Sequence, residues 1–161
     1  MAGTASIAKH PIHPLLISLP IGLWVFSLVS DIIYFAGWGN LVWEDVAWHT
    51  MAGGLVCALL AAIPGFFDFI FLTGPKVKKL ATTHMILNMF IIVLFAIDLY
   101  DRTSMPPYAM TPVILSIIGV VLLGISGWIG GEMVYVHGVA IEPQTDVKID
   151  DLSSIPNKKV D

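Results

Sequence analysis

Four long apolar stretches constrain this chain more than any other feature of its sequence. They cover residues 15–37, 47–72, 81–100 and 111–131. A helix needs about 20 apolar residues to cross the hydrocarbon core of a bilayer, and each stretch reaches that length. Because a backbone in lipid must satisfy its own hydrogen bonds, the spans are predicted to be helices. The expected fold is all-α: a polytopic membrane protein whose four transmembrane helices form a bundle in the lipid bilayer.

The composition agrees with a chain that lies mostly in lipid. Of the 161 residues, 57% are hydrophobic and only 12% are charged, whereas a soluble domain carries about 25% charged residues. We divide the chain into a polar N-terminal arm (residues 1–9), a four-helix transmembrane domain (10–138) and a polar C-terminal tail (139–161). No extended basic segment indicates binding to nucleic acid.

The distribution of charged residues predicts how the bundle is oriented. With four spans, the N-terminal arm, the second loop and the tail lie on one side of the membrane, and they carry all the lysines of the chain. The opposite side carries Arg102 beside Glu44, Asp45 and Asp101. Because short cytoplasmic segments are enriched in Lys and Arg, both termini are predicted to lie in the cytoplasm.

Histidines and carboxylates gather on the lysine-bearing side in this arrangement. Ionisable groups at the edge of an apolar bundle are costly to keep there, so their presence is a functional-site hypothesis. A haem or a metal ion is the expected occupant. The candidate residues are His10, His13, Asp68, His84, Glu132 and His137.

The spacing of these residues favours some of them over others. His10 and His13 are three apart at a helix start, so both can point to one face. His84, Asn88 and Asp98 fall within about 80° of arc on one helix, and this polar stripe should face the bundle interior. The alternative is an interfacial histidine pair and ordinary hydrogen bonds between helices.

The end of the fourth span is ambiguous. Glu132 and His137 are separated by about 140° on a continuous helix. Both can face inward only if the helix breaks near Gly130-Gly131.

The two predicted hairpins show a faint likeness. Each hairpin has histidine where its first helix enters the membrane and a carboxylate near the end of its second helix. A parallel repeat would have this arrangement.

Small residues form stripes on the second and fourth spans. Such stripes favour close helix packing, including contacts between protomers of a homo-oligomer. A second interpretation is a slot for a planar macrocycle. The stripes are Gly54, Ala58, Ala61, Gly65 and Asp68 on the second span, and Gly124, Gly127 and Gly131 on the fourth.

Several motifs resemble one known family. They are His10-Pro11-Ile12-His13-Pro14, Pro20-Ile21-Gly22, Gly65-Phe66-Phe67-Asp68, His84 with Asn88, and Gly130-Gly131-Glu132-Met133-Val134-Tyr135-Val136-His137-Gly138. Over residues 8–140 the chain resembles the bacterial predicted membrane proteins of domain of unknown function 2231. The resemblance implies a location in the bacterial inner membrane. Members of the family that are joined to Rieske or cytochrome c domains further imply electron transfer.

The first functional interpretation is a membrane cytochrome of b type. Two neutral imidazoles from different helices would hold haem iron, with His84 as one ligand and His13 or His137 as the other. Burial in an apolar bundle would then set the redox potential. Electrons would pass to a quinone or to a redox protein at the cytoplasmic side.

Two further interpretations stay open. A non-haem zinc, iron or copper site would use imidazoles and carboxylates, as in a membrane oxidoreductase or hydrolase. Its ligands would come from His13, His84, His137, Asp68 and Glu132.

Alternatively, a polar path across the bundle would carry protons or metal ions in a transport subunit. That path would use Asp31, His49, Asp68, His84, Asn88 and Asp98. Whether the protein is an enzyme is left undecided.

Overall fold

Four helices account for nearly all of the described chain. The structure is a computed structural model, and it describes residues 5–8, 10–38, 40–107 and 109–139. The helices are α1 (Ile12–Phe35), α2 (Leu41–Phe71), α3 (Pro75–Ser104) and α4 (Met110–Tyr135). All four are long and apolar enough to cross a membrane, with mean hydropathies between 2.0 and 2.4 over their most apolar windows. The predicted all-α, four-helix polytopic fold is confirmed.

The middle helices are longer than the apolar stretches that predicted them. Helix α2 begins at Leu41, where the Asn40 side chain accepts a hydrogen bond from the N–H of Val42 at 3.0 Å. Helix α3 begins at Pro75, a residue suited to the first turn because its missing N–H is not needed there. Hydropathy identifies the part of a helix that lies in lipid. The ends of the helix itself are set by local capping interactions. The extension of α3 to Ser104 places Arg102 inside the helix.

The helices run up and down as two antiparallel hairpins, α1 with α2 and α3 with α4. The Ser27 hydroxyl near the end of α1 donates to the carbonyl of Ala47 near the start of α2, at 2.8 Å. Contacts between α3 and α4 follow the same pattern, since His84 meets Ser126 and Asp98 meets Ser116. We call the end of the bundle with His13 and His84 the histidine end, and the end with Asp31 and Arg102 the arginine end.

An apolar layer fills the bundle between these two ends. The rings of Trp24 and Phe95 stack across it, with centroids 4.2 Å apart and planes 22° apart. Met51 and Ile91 are fully buried beside them. The Trp24 indole N–H donates to the carbonyl of Met51 at 3.3 Å. This layer separates the polar groups of the two ends, so it interrupts the polar path that the transport interpretation requires.

The two hairpins share one register. Inward-facing residues of α1 recur 71 positions later in α3, and those of α2 recur 65 positions later in α4. The α1/α3 pairs are His13/His84, Pro20/Ile91, Trp24/Phe95, Ser27/Asp98 and Asp31/Arg102; the α2/α4 pairs are Ala47/Pro112, Met51/Ser116, Gly54/Gly119, Ala58/Leu123, Ala61/Ser126 and Gly65/Gly130. The faint likeness between the hairpins therefore extends to a shared register of inward-facing positions.

The N-terminal arm has structure of its own. Two short strands, β1 (Ser6–Ile7) and β2 (His10–Pro11), pair antiparallel just before α1. The backbone N–H of Ala5 donates to a carboxylate oxygen of Asp68 at 3.1 Å, which ties the arm to the end of α2. The part of the predicted tail beyond Val139 lies outside the described residues.

Candidate functional site

His13 turns into the bundle from the first turn of α1. Its Nδ1 lies 2.8 Å from the carbonyl oxygen of Ala61 on α2. A carbonyl oxygen only accepts, so Nδ1 carries the proton and donates it. In the neutral ring this bond leaves the lone pair on Nε2. The side chain is half-buried.

His84 makes the equivalent contact from α3. Its Nδ1 lies 3.1 Å from the carbonyl oxygen of Ser126 on α4. The Ser126 hydroxyl is also 3.1 Å from this nitrogen, and it accepts a hydrogen bond from the Asn88 side-chain amide at 2.7 Å. The predicted polar stripe of α3 therefore begins as a connected group that faces α4. Asn88 orients Ser126, and Ser126 holds the His84 ring.

The two imidazoles form a pair at the histidine end. His13 and His84 are near enough to interact electrostatically. Within the residues that the structure describes, neither Nε2 has a hydrogen bond. Donation from Nδ1 to a backbone carbonyl fixes the tautomer and orientation of a metal-binding histidine and leaves Nε2 as the ligand atom. Each ring thus has the arrangement of a ligand.

A glycine lies against each imidazole. A Cβ built on Gly65 would lie 2.7 Å from Nδ1 of His13, and one on Gly130 would lie 3.2 Å from Cε1 of His84. Each glycine is one turn beyond the carbonyl that its histidine contacts. The repeat therefore supplies two copies of one local unit: an imidazole, a carbonyl partner and a glycine that makes room for the ring.

The small-residue stripes of α2 and α4 do not line an open slot in the bundle, as the slot interpretation expected. On α2, Gly54 packs against Trp24 and Gly65 against His13, so the protein's own rings occupy these positions. On α4, Gly124 and Gly127 have open space beside them and face outward. The inward positions are instead Gly119, Ser126 and Gly130, because the α4 register follows that of α2. The α4 stripe therefore does not face the bundle interior, as the slot interpretation requires.

The structure does not bring all six candidate residues together. The side chains of His10, Glu132 and His137 are exposed. Helix α4 continues through Gly130-Gly131 to Tyr135, so the break that would turn both Glu132 and His137 inward does not occur. Glu132 also lies one residue away from the α4 position that corresponds to Asp68 in the shared register. One residue is a rotation of about 100° on a helix, so the two carboxylates do not face the same way. His10 contacts its own hairpin through Nδ1 and the carbonyl of Ala8, at 2.8 Å.

The described residues contain no ready-made metal site of three or more ligands. Across residues 5–8, 10–38, 40–107 and 109–139, no three His, Cys, Asp or Glu side chains are grouped so as to hold a metal ion. Asp68 is half-buried and accepts the hydrogen bond from Ala5. A zinc or copper ion normally takes three or four protein ligands. The predicted five-residue metal site is therefore not assembled in the described chain.

A second polar cluster lies at the arginine end. Asp31 and Asp98 belong to the predicted polar path, whereas the sequence prediction did not include Arg102 or Ser116. Arg102 Nη1 and Nη2 donate to the two carboxylate oxygens of Asp31 at 2.8 and 2.6 Å. Its Nε donates a hydrogen bond to Asp98 at 2.9 Å, and the Ser116 hydroxyl donates one to the other oxygen of Asp98 at 2.7 Å. We call Asp31, Asp98, Arg102 and Ser116 the arginine cluster. The signal that could have found it is the four-residue spacing of Asp98 and Arg102.

His49, which the predicted polar path includes with Asp31 and Asp98, does not join the cluster. It is exposed, and its Nδ1 lies 2.7 Å from the carbonyl of Asp45 in its own helix. Its ring also packs edge-on against Trp48, at a centroid distance of 4.9 Å. His49 is thus a surface residue at the arginine end.

Four membrane-length helices that direct two imidazoles into one end of a bundle define a polytopic helical membrane protein with an internal histidine pair. The model of a family described as a predicted membrane protein, domain of unknown function 2231, matches residues 9–143, and the chain belongs to this family. No curated protein and no solved structure matches the chain. The match confirms the resemblance and carries no activity with it.

Proposed function

We propose that this protein is a small membrane cytochrome of b type in which His13 and His84 would hold the iron of a haem. The observation that carries the proposal is a pair of imidazoles with no third ligand beside it in the described chain. Haem iron receives four equatorial nitrogens from its own macrocycle and needs only axial ligands from the protein. A bare zinc or copper ion needs more than the two groups present.

The surroundings of the pair fit this donor set. Both rings donate Nδ1–H to backbone carbonyls, which holds the neutral tautomer and raises the basicity of Nε2. Asn88 and Ser126 hold His84 on one side of the bundle, while Ala61 holds His13 on the other. When bound, haem iron would supply a one-electron couple. The chain's residues would bind and orient the group and exclude water from it.

The proposed orientation places the histidine end in the cytoplasmic half of a bacterial inner membrane. Lys76 and Lys79 are exposed at this end, whereas Glu44, Asp45 and Asp101 lie at the other. This asymmetry follows the positive-inside rule. Electrons would then pass to a quinone in the bilayer or to a redox protein at the cytoplasmic surface.

Optical spectroscopy of the full chain tests the proposal. The protein is purified from cells supplied with haem precursor, and we expect a Soret band with the low-spin signature of two imidazole ligands. His13→Ala and His84→Ala should each lose the low-spin signature and most of the haem. His49→Ala is the matched control, because His49 is exposed at the opposite end.

Three results would contradict the proposal. They are a colourless wild-type protein after haem is supplied, full haem loading in both variants, or a low-spin spectrum that survives in either variant. Thermal unfolding of each variant in detergent separates lost ligation from lost folding. Stoichiometric zinc, iron or copper in colourless protein would favour the non-haem site instead.

A further inference from the structure

The two imidazoles lie at different depths in their helices. His13 is the second residue of α1, which begins at Ile12, whereas His84 is the tenth residue of α3, which begins at Pro75. The N–H groups in the first turn of a helix have no carbonyl partner within that helix, and helix ends open more readily than helix centres. Pro11, at the N-cap of α1, supplies no side-chain hydrogen bond to this turn. A ligand at such a position therefore needs support from outside its own helix.

The imidazole of α3 is supported by two polar side chains that the first hairpin lacks. Asn88 donates to the Ser126 hydroxyl, which contacts the ring. In the shared register, the positions that correspond to Asn88 and Ser126 are occupied by Ile17 and Ala61. Neither of these side chains has a polar atom that could orient an imidazole. The carbonyl of Ala61 accepts from Nδ1 of His13, but the first turn of α1 has to be held in place by other means.

A polar contact of a different kind lies beside the start of α1. Ala5 uses both of its backbone hydrogen-bonding groups there. Its N–H donates to Oδ1 of Asp68 at 3.1 Å, and its carbonyl accepts from the N–H of Ile12 at 3.0 Å. Ile12 immediately precedes His13 in the chain. A continuous link therefore runs from a carboxylate on α2, through one residue of the arm, to the first turn of α1.

The short hairpin of the arm forms part of this link. Strand β1 pairs with β2 directly before the helix, with Ser6 opposite Pro11, so that Ala5 and Ile12 meet at the open end of the hairpin. A two-stranded hairpin has at best marginal stability on its own in water. The hydrogen bond to Asp68 supplies an attachment to the bundle that the hairpin needs in order to hold the start of α1.

The second hairpin of the bundle has no equivalent of this carboxylate. The α4 position that corresponds to Asp68 is Met133, whose thioether is only a weak hydrogen-bond acceptor. The two hairpins thus support equivalent imidazoles in different ways. One uses Asn88 and Ser126 within the bundle, and the other uses Asp68 and the backbone of Ala5 at its end.

We propose that Asp68 is the positioning residue of His13. By anchoring the arm, it fixes the first turn of α1 and so keeps the His13 ring on the carbonyl of Ala61, with the proton on Nδ1 and the lone pair on Nε2. Asp68 acts through the arm and not as a ligand. The consequence for haem binding rests on the proposed function, whereas the positioning of the ring can be measured without haem.

Nitrogen NMR of the haem-free full chain in lipid nanodiscs tests the proposal, with isotope-labelled histidine rings at a pH where they are neutral. The signals of His13 and His84 are assigned from their loss in His13→Ala and His84→Ala. In the wild type we expect both rings to carry the proton on Nδ1. In Asp68→Ala, the His13 signals should shift to the average of the two tautomers, because the ring is no longer held, while the His84 signals stay unchanged.

Three further variants separate this contact from general effects on the bundle. Asp68→Asn should behave as the wild type, because its amide oxygen can still accept from the N–H of Ala5. Ala5→Pro removes the donor of the same hydrogen bond and should reproduce Asp68→Ala, which keeps the test available if that variant fails to fold. Glu132→Ala removes an exposed carboxylate at the histidine end and should leave both rings unchanged.

Three NMR results would overturn the proposal. They are an unchanged His13 signal in both Asp68→Ala and Ala5→Pro, a change at His84 as large as that at His13, and a loss in Asp68→Asn as large as in Asp68→Ala. A contact that merely stabilised the whole bundle would give the second of these results, because it would loosen both rings alike.

Haem binding supplies the second readout. Asp68→Ala should lower the haem affinity by about 10-fold to 100-fold, the loss typical when the hydrogen-bonded support of a metal ligand is removed, and Asp68→Asn should retain the affinity. A wild-type affinity in Asp68→Ala would overturn the positioning role. A wild type that binds no haem but shows the expected NMR pattern would contradict the cytochrome and still support the role of Asp68, so the two failures can be told apart.

Discussion

The indole ring of Trp24 stacks on the phenyl ring of Phe95 at a centroid distance of 4.2 Å, and the two residues occupy equivalent positions in the two hairpins. The stack lies between the histidine pair and the arginine cluster. Each ring packs onto a glycine of its hairpin partner, Gly54 for Trp24 and Gly119 for Phe95. The centre of the bundle is thus built from two copies of one aromatic–glycine contact.

Gly54→Ala is expected to destabilise the bundle. The added Cβ would lie 2.5 Å from Nε1 of Trp24, so the indole would have to move and its hydrogen bond to Met51 would weaken. Overpacking of this kind costs about 1–3 kcal/mol. Thermal unfolding in detergent should show a lower melting temperature. Gly124→Ala is the control, because it has open space, and a similar loss in both variants would argue against the packing account.

Gly65→Ala is expected to reduce haem binding more than Gly130→Ala does. A Cβ at residue 65 meets His13 at 2.7 Å, whereas a Cβ at residue 130 meets His84 at 3.2 Å and needs a smaller adjustment. Haem content per protein, read from the Soret absorbance, measures the difference. Gly127→Ala should match the wild type, because nothing lies within 4 Å of its added Cβ. Full loading of Gly65→Ala would contradict the role given to His13.

Arg102→Met should be strongly destabilising. It leaves two buried carboxylates without their cation, and breaking a buried ion pair costs about 3–5 kcal/mol. The double change Arg102→Met with Asp31→Leu should recover part of that loss, because fewer buried charges remain unpaired. Unfolding free energies of the two single variants and the double variant give the coupling. Additive effects would mean that Arg102 and Asp31 do not stabilise one another.

Labelling from outside the cell tests the orientation. In a Cys57→Ser background, Asp45→Cys should react with a membrane-impermeant maleimide in intact cells. Lys79→Cys should react only after the membrane is permeabilised, because the lysine-bearing loop is predicted to be cytoplasmic. Both positions are exposed, so access to the reagent depends on the side of the membrane. The reverse pattern would invert the proposed topology.

The sequence predicted the number of helices because their hydropathy is unambiguous. It named His84 as one ligand, with His13 or His137 as the other, and the structure turns His13 and His84 into the bundle. The proline-flanked helix start was expected to direct both His10 and His13, but only His13 faces inward. The sequence could not place Glu132 or His137, because their facing depends on whether α4 breaks at Gly130-Gly131. No local pattern in the sequence shows whether this Gly-Gly pair ends the helix, and in the structure α4 continues to Tyr135.

The part of Arg102 in the arginine cluster escaped prediction because of a helix boundary. The apolar stretch of the third span ends at residue 100, which assigned Arg102 to an aqueous loop beside Asp101. In the structure α3 continues to Ser104, so Arg102 lies one turn after Asp98 on the same inward face. A charged residue just beyond an apolar stretch can still belong to the core when its partners lie on other helices.

The register shared by the two hairpins has a different result at each end of the bundle. At the histidine end, both hairpins carry the same residue type, His13 and His84. At the arginine end, the corresponding residues carry opposite charges, and Asp31 accepts two hydrogen bonds from Arg102. Two identical hairpins would place like charges at these positions. A dimer of either hairpin alone therefore could not reproduce this ion pair.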